Sequence, residues 1–309
     1  MVLLALLLPF SQSFAQQVGA GTCDVPVVVA DYSNQLVRDL VPAEFSVSLA
    51  GARQPLDSAS IDGGPKRIAI ILDASENIPD DEWKLETEMA QSFVGNARPE
   101  DRFAFFVIGE GHTETSFLSA NEVTARLQKL AGSRPTEKIY DALLSAVKRL
   151  DPPQFGDAIF LFGHHEDFGS EVDFDQIRER ILRNKLRFYG MSFADPLKKL
   201  PPGFDLNRPT GLTSSKLESL SAETGYFFSF HAVHNLNQPG QMSLFKGFLS
   251  DLYAGIAEPY RLSIPKSGMK DEARLEVSVT NLEARRMHQD GIHYPHLLYP
   301  CAVPIETAP

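Results

Sequence analysis

The chain has 309 residues, enough for one large or two modest domains, and 43% of them are hydrophobic, enough for a sizeable core. Its formal net charge is −11 and no basic cluster interrupts it, which argues against nucleic acid or an anionic membrane surface as the main partner. An acidic surface of this kind favours solubility and tolerates cations.

Residues 1–15 carry an apolar run that ends in Ser13-Phe14-Ala15, the small-x-small pattern of a cleaved secretory signal, although the basic stretch that usually opens such a signal is missing. The run is too short to span a bilayer as a helix. The expectation is an exported chain, periplasmic or extracellular, with no transmembrane segment. The two cysteines, Cys23 and Cys301, lie near opposite ends of the mature chain. In an oxidising compartment they are candidates for one disulfide, which would remove on the order of 5 kcal/mol of chain entropy from the unfolded state. Two unpaired thiols are the alternative.

Asp24 to Asp31 reads as a strand, Glu44 to Leu49 alternates as a half-buried strand, Gly51 to Gln54 reads as a turn, and Pro55 to Ile61 as a further short strand. Asp62-Gly63-Gly64-Pro65 is strong punctuation. From Lys66 the rhythm becomes strand then helix. Apolar strands are expected at Arg67–Asp73, Arg102–Ile108, Asp157–Gly163, Leu186–Phe193 and Tyr226–Phe230, with a short edge strand within Thr113–Leu118. Helices are expected at Asp80–Asn96, Ala120–Leu130, Ile139–Leu150, Phe174–Asn184, Ser214–Thr224 and Met242–Ile256, around a proline-rich excursion from Asp195 to Thr210. After Pro259, Tyr260–Ile264 and Arg274–Val279 alternate with period two, and a terminal strand is expected within His293–Pro304.

These elements imply an α/β fold, a doubly wound, mostly parallel sheet flanked by N- and C-terminal β-strands. The expected division is a signal peptide at 1–15, an N-terminal β flank at 22–62, an α/β unit at 66–257 and a C-terminal β flank at 258–304. Each flank is thin for a core of its own, so the two are expected to pack together as a small β-sandwich.

The stretch Arg67-Ile68-Ala69-Ile70-Ile71-Leu72-Asp73-Ala74-Ser75-Glu76-Asn77 organises the rest. An isoleucine-rich run that ends abruptly in an acid reads as a buried parallel strand, and open α/β sheets place their ligands at the strands' carboxyl ends. Asp73, Ser75 and Asn77 alternate, so three oxygen-bearing side chains converge on one point, a ligand set suited to a hard cation such as magnesium or calcium. Local turn and N-cap hydrogen bonds are the plainer role for the same residues.

This loop resembles the Asp-x-Ser-x-Ser metal-site loop of the von Willebrand factor A (vWA) family, with Asn77 at the last position. The order of motifs is similar to the acidobacterial-type VWFA-related domain family. A Val-x-Val-x-Val-x-Asp-type strand appears at Val25–Asp31, then Val37-Arg38-Asp39-Leu40 through Phe45-Ser46-Val47, then the metal strand, then Ile139-Tyr140-Asp141-Ala142-Leu143, then Tyr260-Arg261-Leu262. The resemblance implies a metal-ion-dependent adhesion site in degenerate form. The family threonine falls at Glu137, with Thr136 one residue earlier. The family Thr-Asp-Gly is replaced by Phe162-Gly163-His164, with Gly163 at the aspartate position and Glu166 or Asp167 further along. The implied ligands are Asp73, Ser75, Asn77 and Thr136, holding either no ion or a weakly bound Mg2+, Mn2+ or Ca2+.

His164-His165-Glu166-Asp167 is the only dense cluster of transition-metal or catalytic side chains, and it matches no recognised zinc spacing. No nucleophile elbow, zinc-protease helix or phosphate loop occurs. The functional expectation is therefore an exported, non-enzymatic interaction module that binds another protein through the loops Asp73–Asn77, Ser133–Lys138 and Gly163–Ser170, with Glu76, Glu137, His164, His165, Glu166 and Asp167 as contact residues. A structural envelope scaffold without metal, and a metal-dependent enzyme using His164, His165 and nearby acids, are the alternatives.

Overall fold

A computed structural model of the chain describes residues 21–29, 36–49, 51–74, 80–108, 116–130, 138–163, 167, 169–192, 216–224, 227–229, 241–265, 274–279 and 299–300. The expected segments at 1–15, 32–35, 195–210 and Cys301 lie outside the described residues.

Five strands form one parallel sheet: β5 (Arg67–Asp73), β6 (Arg102–Ile108), β7 (Ala158–Phe162), β8 (Arg187–Ser192) and β9 (Phe227–Ser229), in the order β6-β5-β7-β8-β9. Every residue of β5 pairs with β6, and Ile68 to Leu72 also pair with β7, so the strand has neither a free edge nor a wet face. Its apolar side chains alternate between two cores. Ile68, Ile70 and Leu72 join Phe105 and Phe160 on one face, while Ala69 and Ile71 join Phe106 and Leu161 on the other. At roughly 1.5–3 kcal/mol per fully buried large apolar side chain, this strand is a large part of what the sheet gains on folding.

Helices cover both faces, as the alternating pattern predicts. α1 (Asp80–Val94), α2 (Ala120–Leu127) and α6 (Gln241–Ala257) line the first core. α3 (Ile139–Arg149), α4 (Phe174–Arg183) and α5 (Lys216–Thr224) line the second. Ser119 and Asp173 cap α2 and α4 with reciprocal capping boxes to Glu122 and Gln176. α2 stops short of the expected Leu130. Of the expected edge strand, a single antiparallel bridge joins Leu118 to Phe103, and residues 111–115 are outside the described set. Among the described residues no helix is long and apolar enough to cross a membrane.

The flanking strands build two antiparallel sheets. β1 (Thr22–Val27), β10 (Tyr260–Pro265) and β4 (Ser58–Ile61) form one, in the order β1-β10-β4. β2 (Phe45–Leu49), β3 (Ala52–Gln54), β11 (Arg274–Val279) and β12 (Tyr299–Pro300) form the other, in the order β12-β11-β2-β3. A shared core of Val25, Phe45, Val47, Leu262, Ile264, Leu275 and Val277 closes them into a sandwich, and the Tyr260 hydroxyl accepts from Leu40 N at 2.9 Å. Residues 52–54, expected as part of a turn, instead form β3. Leu49 pairs with Ala52 and Gly51 turns the chain at φ +80°, so the turn is tighter and the strand begins sooner.

A buried polar seam joins the sandwich to the amino ends of the parallel strands. Lys66, 2% exposed, donates to Asp62 Oδ2 at 2.7 Å and to the Gly64 carbonyl at 2.6 Å. Arg261 of β10 reaches Asp62 Oδ1 (3.0 Å) and Asp24 Oδ2 of β1 (2.9 Å). On the other side Asp101, 1% exposed, accepts from Lys66 N, from both ends of the Arg98 guanidinium and from the Tyr253 hydroxyl of α6. Arg187 donates to the carbonyls of Gly156, Gly255 and Ile256, supplying the cation that the last turn of α6 lacks.

Burial pushes the Asp101 carboxyl up, but its bonds from Arg98, Tyr253 and Lys66 outweigh this and hold it below the usual carboxylate value. Asp62 is likewise held low, its burial outweighed by Lys66 and Arg261. A carboxyl whose folded-state pKa is depressed gives its full stabilisation above the unfolded-state value, about 3.9, and loses it as the pH falls through the lower folded-state value. Asp101→Ala should lower stability by about 3–5 kcal/mol, since it strands buried donors and a cation. Asp101→Asn should flatten the fall in urea midpoint below about pH 4. Equilibrium urea unfolding against pH checks both.

Candidate functional site

The order β6-β5-β7 makes the chain leave β5 toward one side and β7 toward the other. α1 follows β5 onto one face, and α4 follows β7 onto the opposite face. Such a reversal opens a crevice beyond the carboxyl ends of the two strands, where doubly wound folds bind ligands. Asp73 and Gly163 stand at that crevice, since Leu72 pairs with Phe162 and they are the next residues along the chain from each.

Asp73 is fully buried. Its N–H, at the tip of β5, donates to Glu86 Oε1 of α1 at 2.8 Å. Glu86 is itself 1% exposed. Glu86 was not singled out from the sequence. The available signal was its place on the buried stripe of α1 with Met89, Ala90 and Phe93, where a carboxylate needs a partner.

Gly163 adopts φ +139°, and its N–H donates to the Met191 carbonyl at 3.0 Å. A Cβ built on it would lie 2.1 Å from Asp73 Cβ and 3.1 Å from Asp73 Cγ and Oδ2. The Asp73 side chain therefore lies against the bare backbone of Gly163, in the space where a side chain at 163 would start.

Asp167 is placed over the start of α3. The first helical N–H groups have no intrahelical acceptor, and Lys138 at the N-cap offers no side-chain bond. Asp167 Oδ1 takes the Tyr140 N–H (3.1 Å) and the Ser170 hydroxyl (2.6 Å), while Ser170 Oγ accepts from Asp141 N at 3.2 Å. Asp141 Oδ1 in turn accepts from Glu171 N (3.0 Å) and Val172 N (3.3 Å). The two acids pin the segment after β7 to the amino end of α3, where negative charge is favoured by the helix dipole. Burial pushes the half-buried Tyr140 hydroxyl's pKa up, and the Asp167 charge adds to it.

Ser75, Glu76, Asn77, Thr136, Glu137, His164, His165 and Glu166 lie outside the described residues. Among the described residues no group of three or more His, Cys, Asp or Glu side chains is placed to hold a metal ion. Cys23 is fully buried in the sandwich core, with Lys185 Nζ 3.8 Å from its Sγ.

No protein-family model and no curated protein matches the sequence. Solved structures do align in outline. A von Willebrand factor type A protein from Catenulispora acidiphila aligns at TM-score 0.48 and 10% identity, over 85% of this chain and 71% of that one. BatB from Bacteroides thetaiotaomicron aligns at TM-score 0.45 and 15% identity, over 62% of this chain and all of that one (100%). An aerotolerance-related membrane protein from Bacteroides fragilis aligns at TM-score 0.45 and 14% identity, over the same shares, 62% and 100%.

Gly163→Ala should destabilise the protein by more than about 3 kcal/mol, because the added methyl collides with a strand tip bonded on both sides and sits at an unfavourable positive φ. Glu86→Ala should cost about 1–3 kcal/mol by leaving the buried Asp73 N–H without that acceptor, with Glu86→Gln closer to wild type. Chemical denaturation of the three variants measures the order.

Proposed function

We propose that this chain is an exported, non-enzymatic, vWA-like interaction module that binds another protein at the carboxyl rim of its parallel sheet. The observation that carries the reading is the placement of Asp73, Gly163 and the amino end of α3, with its Asp167 and Ser170 tether, around one topological switch point. The connections that leave this rim contain Ser75, Glu76, Asn77, His164, His165 and Glu166. Thr136 and Glu137 directly precede α3. A rigid parallel sheet that presents variable loops on one edge suits recognition. The order of vWA-type motifs along the sequence supports the same assignment.

Export is supported by the signal-like residues 1–15, and an oxidising compartment would permit a Cys23–Cys301 bridge. A purely structural place in an envelope assembly differs from this reading in one respect: its contacts would not be confined to the rim. A photoreactive residue at Glu137 or Glu76 should give a discrete cross-linked protein adduct in the cells that make the chain, while the same residue at the exposed Arg53 of β3 or Arg183 of α4 should not. Adducts at Arg53 or Arg183 alone would defeat the rim reading. Zinc binding lost in His165→Ala would instead favour the enzymatic alternative.

A further inference from the structure

We infer that the crevice between β5 and β7 is closed to a divalent cation, and that a protein docking there is recognised without a bridging metal ion. The inference rests on the rim reading above and deepens it. A cation shared with a partner needs several oxygen ligands around an open position, and magnesium in particular gives up its waters reluctantly. The described residues at this crevice do not meet those needs.

The first obstacle is steric. The vWA resemblance puts the second carboxylate at position 163, on the strand next to β5. Here that position is glycine, and even a β-carbon there would stand 2.1 Å from Asp73 Cβ. The Asp73 side chain occupies the place from which the second ligand would project. The tip of β5 has little room to give way, because Asp73 is paired to Ile108 on β6 and its N–H is bonded to Glu86. The vacancy at 163 and the pose of Asp73 are thus one feature.

The second obstacle is access. Asp73 is 0% exposed, so an ion at its oxygens would have to lose most of its water. The third is prior commitment. Glu86 Oε1 is taken by Asp73 N, and neither Asp73 nor Glu86 is free of further interactions in the chain. Asp167, the next acid along the β7 loop, gives Oδ1 to Tyr140 N and the Ser170 hydroxyl, with Ser170 N 3.4 Å from Oδ2. Moving it toward Asp73 would uncap α3, a loss of order 1 kcal/mol for a cap.

The test titrates Mg2+, Mn2+ and Ca2+ alone into the EDTA-treated full chain, by calorimetry and by thermal melting followed through Trp83, the single tryptophan, in the α1 turn ahead of Glu86. The expected result is no saturable heat and a melting temperature moved by less than about 1 °C. Gly163→Asp, which restores the missing carboxylate on paper, should gain no affinity for Mn2+ and should melt lower. One-to-one Mn2+ binding that disappears in Asp73→Ala would overturn the inference, as would Mn2+ binding gained in Gly163→Asp. If Gly163→Asp does not fold, the steric argument holds and the wild-type titration decides alone. Photocross-linking at Glu137 repeated in EDTA keeps the two readings apart. Adducts that persist support both. Adducts lost in EDTA overturn metal-free docking and leave the rim reading standing. Rim adducts absent in either condition sink the rim reading and leave the titration unaffected.

Discussion

Strand β5 carries the molecule. It is hydrogen-bonded on both edges and covered on both faces, so its position is over-determined. At its amino end the chain enters from Lys66 and the polar seam. At its carboxyl end it stops at Asp73 and the crevice. One rigid element thus connects the junction with the sandwich to the candidate site at the far rim.

The seam places lysine, arginine and aspartate side chains out of water, an arrangement that costs free energy unless every group is matched. Here the matching is dense, with Asp62 shared between Lys66 and Arg261 and Asp101 shared between Lys66 N, Arg98 and Tyr253. Burial still pushes the Lys66 ammonium pKa down, helped by the neighbouring Arg187 and Arg98 charges and opposed by Asp62. A greasy contact between the two units would tolerate sliding. Directional bonds to Asp62 from Lys66 on one side and Arg261 of β10 on the other do not, and the sandwich is held in one orientation against the sheet.

At the rim the same rigidity holds the end of β5 in place. A glycine at 163 and a carboxylate folded onto it give a compact strand tip, further tied by Glu86. Asp167, one of the two acids that the sequence offers as a spare ligand, serves the backbone. Asp167 and Asp141 satisfy amide groups at the start of α3 and in the segment after β7, where helix geometry leaves donors without partners. Among the described residues, Asp141 and Asp167 thus fix the segment after β7 to the start of α3.

Much of the architecture was legible in the residues. The isoleucine and phenylalanine runs at Ile68–Leu72 and Phe103–Ile108 can only be two-sided buried strands, and the period-two pattern at Tyr260–Ile264 can only be one wet face and one dry. Asp73 was legible as a strand-end acid. β3 was not, because Ala52-Arg53-Gln54 has no apolar alternation and becomes a strand only by pairing with β2. The bond between Glu86 and Asp73 N, the shared seam and the capping duty of Asp167 were also beyond the sequence. Periodicity reports which face of an element is buried, since that depends on local spacing. Which groups then meet depends on strand order and on contacts between residues far apart in the chain, such as Lys66 with Asp101 and Asp73 with Gly163, and those exist only once the sheet has closed.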